Sequence, residues 1–398
     1  MTINSKFKSL LAVALLSSFS SFAAAGTKEN NDHAPEATAA EAELSFRDIP
    51  YLDKAFIDAA PADRKDGIPV GELGVDGGNK DMIVKLAQEI ADSKHDNFDS
   101  LLIAHKGKLI FESYNKRGRI NLPHPQASAT KSYTSLAIGR AIQLGYLTMA
   151  DLDKPLVSFL KDIDPAKFVD GAEKITLHKA LTMRGGLSVS NEKWEELQKN
   201  PAALKGQGLV QTLLEQTEPI TEGSQTYKYG NFNPSLVMQV IDAVVPGTAK
   251  DFIKKEILDK LGITNYSWQT AVSGLPEAGW RVSMTSRDML KWGSVVINNG
   301  KWNGEQIIPA EYLAKATSGL VKPTEDWMPD AYRYGYFWYQ TPVAVGDKTY
   351  DATFAWGGGD QRVFVVAELD LIIVFTGHDR EEQITAQISK TLVPAFVE

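Results

Sequence analysis

No cysteine occurs among the 398 residues, which excludes disulfides and any lipid anchor on cysteine, so core packing alone must hold the folded chain. Histidine is sparse as well. His33, His95, His105, His124, His178 and His378 are scattered, with neither a His-x-His nor a His-x-x-x-His pair. A metallohydrolase needs clustered ligands, and no metal or cofactor is expected here. A Gly-x-Ser-x-Gly elbow is missing too, which disfavours an α/β-hydrolase. Net charge is −8 and no Lys/Arg block stands out beyond the N-terminal segment. Nucleic-acid binding through a basic face is thereby excluded. Beyond the first residues there is no long apolar run, so no stable membrane span is expected.

What is present begins with an export signal. Lys6 and Lys8 supply a positive start, Leu10 to Phe22 is apolar, and Ala23-Ala24-Ala25 precedes Gly26. That order predicts a signal peptide over 1–25 and a periplasmic or secreted protein. The apolar run is too short and too interrupted by serines for a membrane anchor. Residues 26–45 are rich in Ala, Glu, Asn and Asp and predict a disordered tether.

The remainder is 43% hydrophobic and 23% charged over the whole chain, an ordinary globular composition. Ile83, Leu86, Ala87 and Ile90 share one face of a helix over 81–92. Leu101–His105 and Lys108–Phe111 flank Lys106-Gly107 as a hairpin, with His105 reading as a solvated residue. From 132 to about 310 the helical period dominates. Strand-like runs return at Tyr336–Tyr339, Arg362–Val366 and Leu371–Thr376, before a final helix near 381–391. Strands at both ends predict an α/β (α+β) fold, with one antiparallel sheet built from both termini and flanked by helices. The predicted division is 46–131 plus 320–398 for the sheet domain, and 132–319 for a large, mostly helical insertion.

The chemistry concentrates in Ser128-Ala129-Thr130-Lys131, Tyr229-Gly230-Asn231 and Trp356-Gly357-Gly358-Gly359. A serine hydroxyl is a weak nucleophile until a base takes its proton. Lysine three positions later on a helix lies one turn on, within reach of that hydroxyl. Backbone N–H groups beside a glycine run can hold the oxyanion of an attacked carbonyl. The Ser-x-x-Lys spacing alone is cheap, recurring at Ser5–Lys8, Ser113–Lys116, Ser158–Lys161 and Ser190–Lys193. Only Ser128 stands just before a long helical pattern, behind the breakers Pro123 and Pro125. An N-cap serine is the competing reading of that position. For the glycines the competitor is a simple bulge or turn.

These segments resemble the serine β-lactamase-related hydrolases: class C β-lactamases, penicillin-binding D-Ala-D-Ala peptidases, family VIII carboxylesterases and 6-aminohexanoate-dimer hydrolases. Ser128–Leu136 resembles the family's Ser-x-Thr-Lys helix start, and Leu181–Leu187 its helix-to-loop segment. Ser286–Met289, Asn299–Gly304 and Tyr334–Trp338 resemble later landmarks. The resemblance runs from about Gly71 to the last helix and implies a β-lactamase/transpeptidase-like fold. It implies Ser128 as nucleophile, Lys131 as its proton-sharing partner, and Tyr229 as general base and later proton donor. Asn231 becomes an orienting or substrate amide, with a turn residue as competitor. The oxyanion hole would join the Ser128 N–H to one from Gly359, or from Gly358 if the register is set on Gln361.

Where β-lactamases and peptidases carry Lys-Thr-Gly, this chain has Trp356-Gly357-Gly358, an esterase-like variant. A small-molecule carboxylic ester or linear amide is therefore the expected substrate. A β-lactamase or D-Ala-D-Ala peptidase is the alternative, and a non-turnover acyl-binding sensor the second one. Arg362, His378 and Arg380 are nearby in sequence as substitute cations. Trp280, Trp338, Tyr339 and Trp356 form either an aromatic substrate wall or part of the core. Glu192 and Trp194 read as a solvated loop.

Overall fold

The computed structural model describes residues 33–95, 97–378 and 384–397. The expected signal peptide lies outside these residues, and so does the first part of the tether. Residues from Ala34 onward form one unit.

The strands are β1 (Phe56–Asp58), β2 (Phe98–His105), β3 (Lys108–Tyr114), β4 (His124–Pro125), β5 (Tyr266–Trp268), β6 (Val282–Met284), β7 (Lys301–Trp302), β8 (Glu305–Gln306), β9 (Arg333–Tyr334), β10 (Tyr339–Val345), β11 (Lys348–Gly357), β12 (Gln361–Val366) and β13 (Leu371–Gly377). Eight of them make one sheet in the order β1-β3-β2-β13-β12-β11-β10-β9. Its pairs are antiparallel, and the two ends of the chain meet where β2 lies beside β13. Strands β4, β6 and β5 form a second, three-stranded sheet, and β7 with β8 a small ribbon.

Local chemistry accounts for these elements. The β2–β3 turn places Lys106 at φ 50° and Gly107 at φ 77°, the left-handed pair that matches strand twist. Asn79 caps the Lys80–Ala91 helix by accepting from the Met82 N–H, and Ile83, Leu86, Ala87 and Ile90 are its buried face. All residues of β2, β12 and β13 are buried, because helices cover the sheet. The Ser286–Ile297 helix packs on β2, β12 and β13. At Gly293 an added Cβ would sit 2.6 Å from Ile372 and 3.0 Å from Val363, so the helix rides close on the strands. The Thr130–Gln143 helix is buried from Thr130 through Ala141 and packs on the Phe232–Val244 helix of the inserted region.

Three expectations change. Residues 34–45 are not a tether. Ala34 packs on the core, Asn121 Oδ1 accepts from the Ala37 N–H at 2.7 Å, and Glu41 of a capped Ala39–Ala42 turn pairs with Arg119 at 3.0 Å. Polar anchoring holds this segment where its low apolar content predicted disorder. His105 is buried, not solvated, with Nδ1 at 2.8 Å from the Asp76 carbonyl. The last helix is split into an α-turn at Ile384–Gln387 and a π-turn at Ile388–Leu392, and its expected start lies outside the described residues.

A buried ionic knot ties the helix at 286–297 to the sheet. Arg287 donates to both carboxylate oxygens of Glu112 on β3 at 3.0 Å, and to Asp66 at 2.9 Å. Glu112 and Arg287 are almost fully buried, so removing one charge strands the other. Glu112→Gln should lower the unfolding free energy by about 3–5 kcal/mol. The expected readout is a lower urea midpoint with unchanged slope.

Candidate active site

Ser128 sits in a 3₁₀ turn, Ala127–Ala129, that runs directly into the Thr130–Gln143 helix. Ala127 has φ 45°, a left-handed conformation that a non-glycine residue adopts at a cost. Anchors on both sides hold the turn. The Gln126 N–H donates to Val282 O at 2.8 Å, and Thr130 Oγ1 donates to Ala127 O at 2.8 Å while accepting from the Val282 N–H at 3.3 Å. The N-cap alternative for Ser128 fails, because the helix has no side-chain cap bond.

Lys131 is the second element. Its Nζ lies 3.2 Å from Ser128 Oγ and donates to the Gly279 carbonyl at 2.9 Å. On a third side it faces the Tyr229 ring, 4.8 Å from the centroid. The lysine is 2% exposed. Removal from water lowers its pKa to about 7, against the opposing pull of the Glu277 carboxylate. Burial disfavours the charged amine, and a carbonyl and an aromatic face compensate it less than a carboxylate partner would. The amine is thus a base available near neutrality.

Tyr229 reaches the pair through this contact with Lys131. The Glu325 carboxylate fixes its backbone, accepting from the Tyr229 N–H at 2.6 Å. Tyr339 is hydrogen-bonded to Tyr229, and burial, with the neighbouring phenols, holds the Tyr339 hydroxyl well above the usual tyrosine range. Asn231 opens the Phe232–Val244 helix. Its Oδ1 lies against Gly279, where an added Cβ would be 2.8 Å away. Lys131 and Asn231 therefore meet at Gly279, with Ser128 Oγ and the Tyr229 ring on other sides of the lysine amine.

The glycine run closes the other side. Pairing of β10 with β11 ends at Tyr339–Phe354, so Ala355–Gly357 run on past it toward the nucleophile turn. A Cβ on Gly357 would stand 2.1 Å from Gln126 O and 3.1 Å from Ala129 N, so only glycine lets strand and turn touch. Gly358 faces open space, and Gly359 (φ 83°) with Asp360 (φ 66°) turns the chain back into β12. Gly359 thus takes the turn conformation of the competing reading, its carbonyl accepting from Gln361 Nε2 at 2.8 Å.

The aromatic residues divide between the two readings. Trp338, in the bend between β9 and β10, is fully buried core. Trp356 remains in the wall, its ring 5.5 Å from Trp327, 5.8 Å from Tyr332 and 5.1 Å from Tyr339. Trp327 also meets Tyr229 at 5.6 Å. Trp280, next to Gly279, is exposed and covered by Arg281 at 4.1 Å. Glu192 and Trp194 lie on a helix, Asn191–Gln198, and not in a loop. Of the substitute cations, Arg362 is buried, donates to Gly357 O and Gln361 O, and stacks on Trp356 at 4.5 Å. His378 is held by Asp99, and Arg380 lies outside the described residues. Sequence reasoning missed Gly279, Glu277, Glu325 and Trp327. The Gly279 and Glu277 signal lay in Glu277-Ala278-Gly279-Trp280 beside an apolar strand; Glu325 and Trp327 carried none.

A helix-borne serine with a buried lysine, set between an antiparallel sheet and a helical insertion, defines a hydrolase of the β-lactamase fold. The chain belongs to the beta-lactamase family, whose model matches residues 87–385. A protein of Alkalihalophilus pseudofirmus without an assigned activity is 26% identical over 262 residues, 59% of this chain and 68% of that one. The fold is shared with a Bacillus anthracis structure described as a 6-aminohexanoate-dimer hydrolase (19% identity, TM-score 0.60, 78% of this chain and 81% of that one). A class C β-lactamase matches with 13% identity and TM-score 0.60 over 80% and 96% of the two chains. A D-stereospecific amidohydrolase from Streptomyces matches with 15% identity and TM-score 0.57 over 77% and 98%. Among the described residues no helix is long and apolar enough to cross a membrane.

The lysine environment generates a pH prediction. Only the neutral amine has a lone pair for the serine proton, so kcat/KM should rise with pH through about 7. The Glu277 charge favours the ammonium, hence Glu277→Gln should move that limb to lower pH. The Gly279 N–H bond to Oε1, 3.1 Å long, survives in the glutamine variant. A limb that stays in place would show that the carboxylate is not coupled to the amine.

Proposed function

We propose that this protein is an exported serine hydrolase that cleaves carboxylic esters or linear amides through an acyl-enzyme on Ser128. The observation that carries the reading is Lys131: an amine removed from water, 3.2 Å from the serine oxygen, with a pKa near 7. Ser128 Oγ attacks the substrate carbonyl while its proton passes to Lys131 Nζ. The oxyanion is held by the Ser128 N–H and an N–H of the Gly358-Gly359 loop. The proton then travels by way of Lys131 and Tyr229 to the leaving alcohol or amine as the bond to it breaks. Water enters, loses its proton to the same pair, attacks the acyl carbon and releases Ser128. Asn231 orients the substrate or the lysine.

The choice of ester or linear amide over β-lactam rests on charge. Where carboxylate-binding relatives have Lys-Thr-Gly this chain presents Trp356-Gly357-Gly358, and Arg362 is turned inward onto main-chain carbonyls. Loss of a charge-assisted hydrogen bond costs about 1.5–3 kcal/mol. Trp327, Trp356 and the Tyr229 edge suit an apolar acyl or alcohol group. The segment 1–25 carries the proposal of export, to the periplasm or the medium. A mature protein beginning at Gly26 is the expected result of N-terminal sequencing.

Ser128→Ala should abolish both turnover and labelling by a fluorophosphonate, and Lys131→Ala and Tyr229→Phe should each cost about 10²-fold or more in rate. Short nitrophenyl esters and the aminohexanoate dimer should be turned over with higher kcat/KM than nitrocefin or a D-Ala-D-Ala peptide. Nitrocefin leading that panel would establish the β-lactamase reading instead. Stoichiometric acylation without later product release would establish the sensor.

A further inference from the structure

A second group of titratable side chains lies behind the nucleophile turn, unused by the acyl-transfer reading. Asp99 on β2 is fully buried. Its Oδ2 lies 3.0 Å from His124 Nε2 and 2.8 Å from His378 Nδ1, and its Oδ1 accepts from the Arg117 N–H at 2.9 Å. Burial by itself would raise this carboxyl, but the two imidazoles outweigh it and hold the pKa below the usual range. Asp99 is therefore a buried carboxylate, which requires a compensating charge.

The hydrogen-bond partners say which group supplies that charge. His378 Nε2 is 2.8 Å from the Tyr51 hydroxyl, which can donate. A neutral His378 satisfies both neighbours, with Nδ1–H toward Asp99 and Nε2 accepting. His124 differs. Its Nε2 meets Asp99, and its Nδ1 lies 3.0 Å from the Pro125 carbonyl. Both neighbours only accept, so a neutral ring would turn one lone pair toward an acceptor. An imidazolium satisfies both. The cluster then closes with one carboxylate, one imidazolium and no net charge.

We propose that Asp99 and His124 form a buried ion pair that positions the nucleophile turn, making both positioning residues for the reaction. His124 and Pro125 are β4, and Ser128 follows three residues after Pro125. Gln126 links them: its Nε2 donates to His124 O at 2.9 Å, its Oε1 accepts from Tyr133 OH at 3.0 Å, and its carbonyl is the atom that Gly357 abuts. The strained Ala127 needs such a fixed neighbour. The N-terminal segment roofs the pair. Phe46 sets its edge on His124 at 4.2 Å, and the Arg117 guanidinium lies over Phe46 and Tyr51 at 5.7 and 5.2 Å. Among the described residues, the titratable and charged groups facing the pair are His378 at the end of β13, Tyr51 from the roof and Arg117 after β3.

The kinetic half of the test rests on Ser128 being the nucleophile; the spectroscopic half does not. In mature, unmutated protein with ¹⁵N-labelled histidine, both His124 nitrogens should be protonated at neutral pH and only one of His378. In Asp99→Asn, His124 should revert to a neutral single tautomer. The same variant should lose kcat by about 10²-fold, the cost of a reacting group displaced by an ångström, with KM within about twofold. Phe46→Ala keeps every bond to Asp99 and should give a smaller loss in kcat. A neutral His124 in the unmutated protein overturns the ion pair, whatever the variants do. A folded Asp99→Asn protein with unchanged kcat overturns the positioning role.

Discussion

Withdrawal of one amine from water is the constraint on which this site depends. Lys131 is enclosed by the Ser128 hydroxyl, the Gly279 carbonyl and the Tyr229 ring face. None carries a full negative charge, so desolvation dominates and the amine holds its proton weakly. Had a carboxylate occupied the place of Gly279 O, the lysine would remain an ammonium at neutral pH and offer no lone pair. Glu277 stands one step back, on the Gly279 N–H, where its pull is partial. The nearby polar groups are thus arranged by distance from the amine as much as by type.

Close backbone approach is what makes that arrangement rigid. The end of β11 meets the Gln126–Ala129 main chain at Gly357 with no room for a Cβ, while the Gly279 corner closes on the side-chain amide of Asn231. Two glycines from distant parts of the chain thus give room, one to the main chain of the Ser128 turn and the other to the Asn231 side chain. Buried charge supports the same assembly from outside, through Arg287 with Glu112 and Asp66 on one side and Asp99 with His124 on another. Each breaks at high cost if one member is removed. In a chain without cysteine these packed and ionic contacts carry the stability.

The proposed preference for esters and linear amides rests on what the site turns outward and what it turns inward. Trp327, Trp356 and Tyr229 make a continuous aromatic surface, while Arg362 Nη1 donates to the carbonyls of Gly357 and Gln361. An apolar wall beside a buried lysine is the basis for proposing neutral acyl groups as substrates.

Much of this was legible in the residues themselves. Continuous β-rich apolar runs and turn chemistry marked β2, β3, β12 and β13, and the i, i+3, i+4 spacing marked the Lys80–Ala91 helix, because those signals are local. Membership of the serine β-lactamase-related hydrolases was legible in the ordered set of motifs from Ser128 to Gly358. Proton affinity was not legible, since it depends on which atoms surround Lys131 after folding. Nor was the role of Trp327, which reaches Trp356 and Tyr229 only through a loop whose path tertiary contacts decide. Residues 34–45 looked disordered because their few apolar groups gave no local reason to order; the Arg119 and Asn121 anchors that hold them are eighty residues away. The sequence by itself determined the reactive groups and the elements that bear them. Only the tertiary structure decided solvent exposure, hydrogen-bond partners and charge state, because these arise between segments remote in the chain.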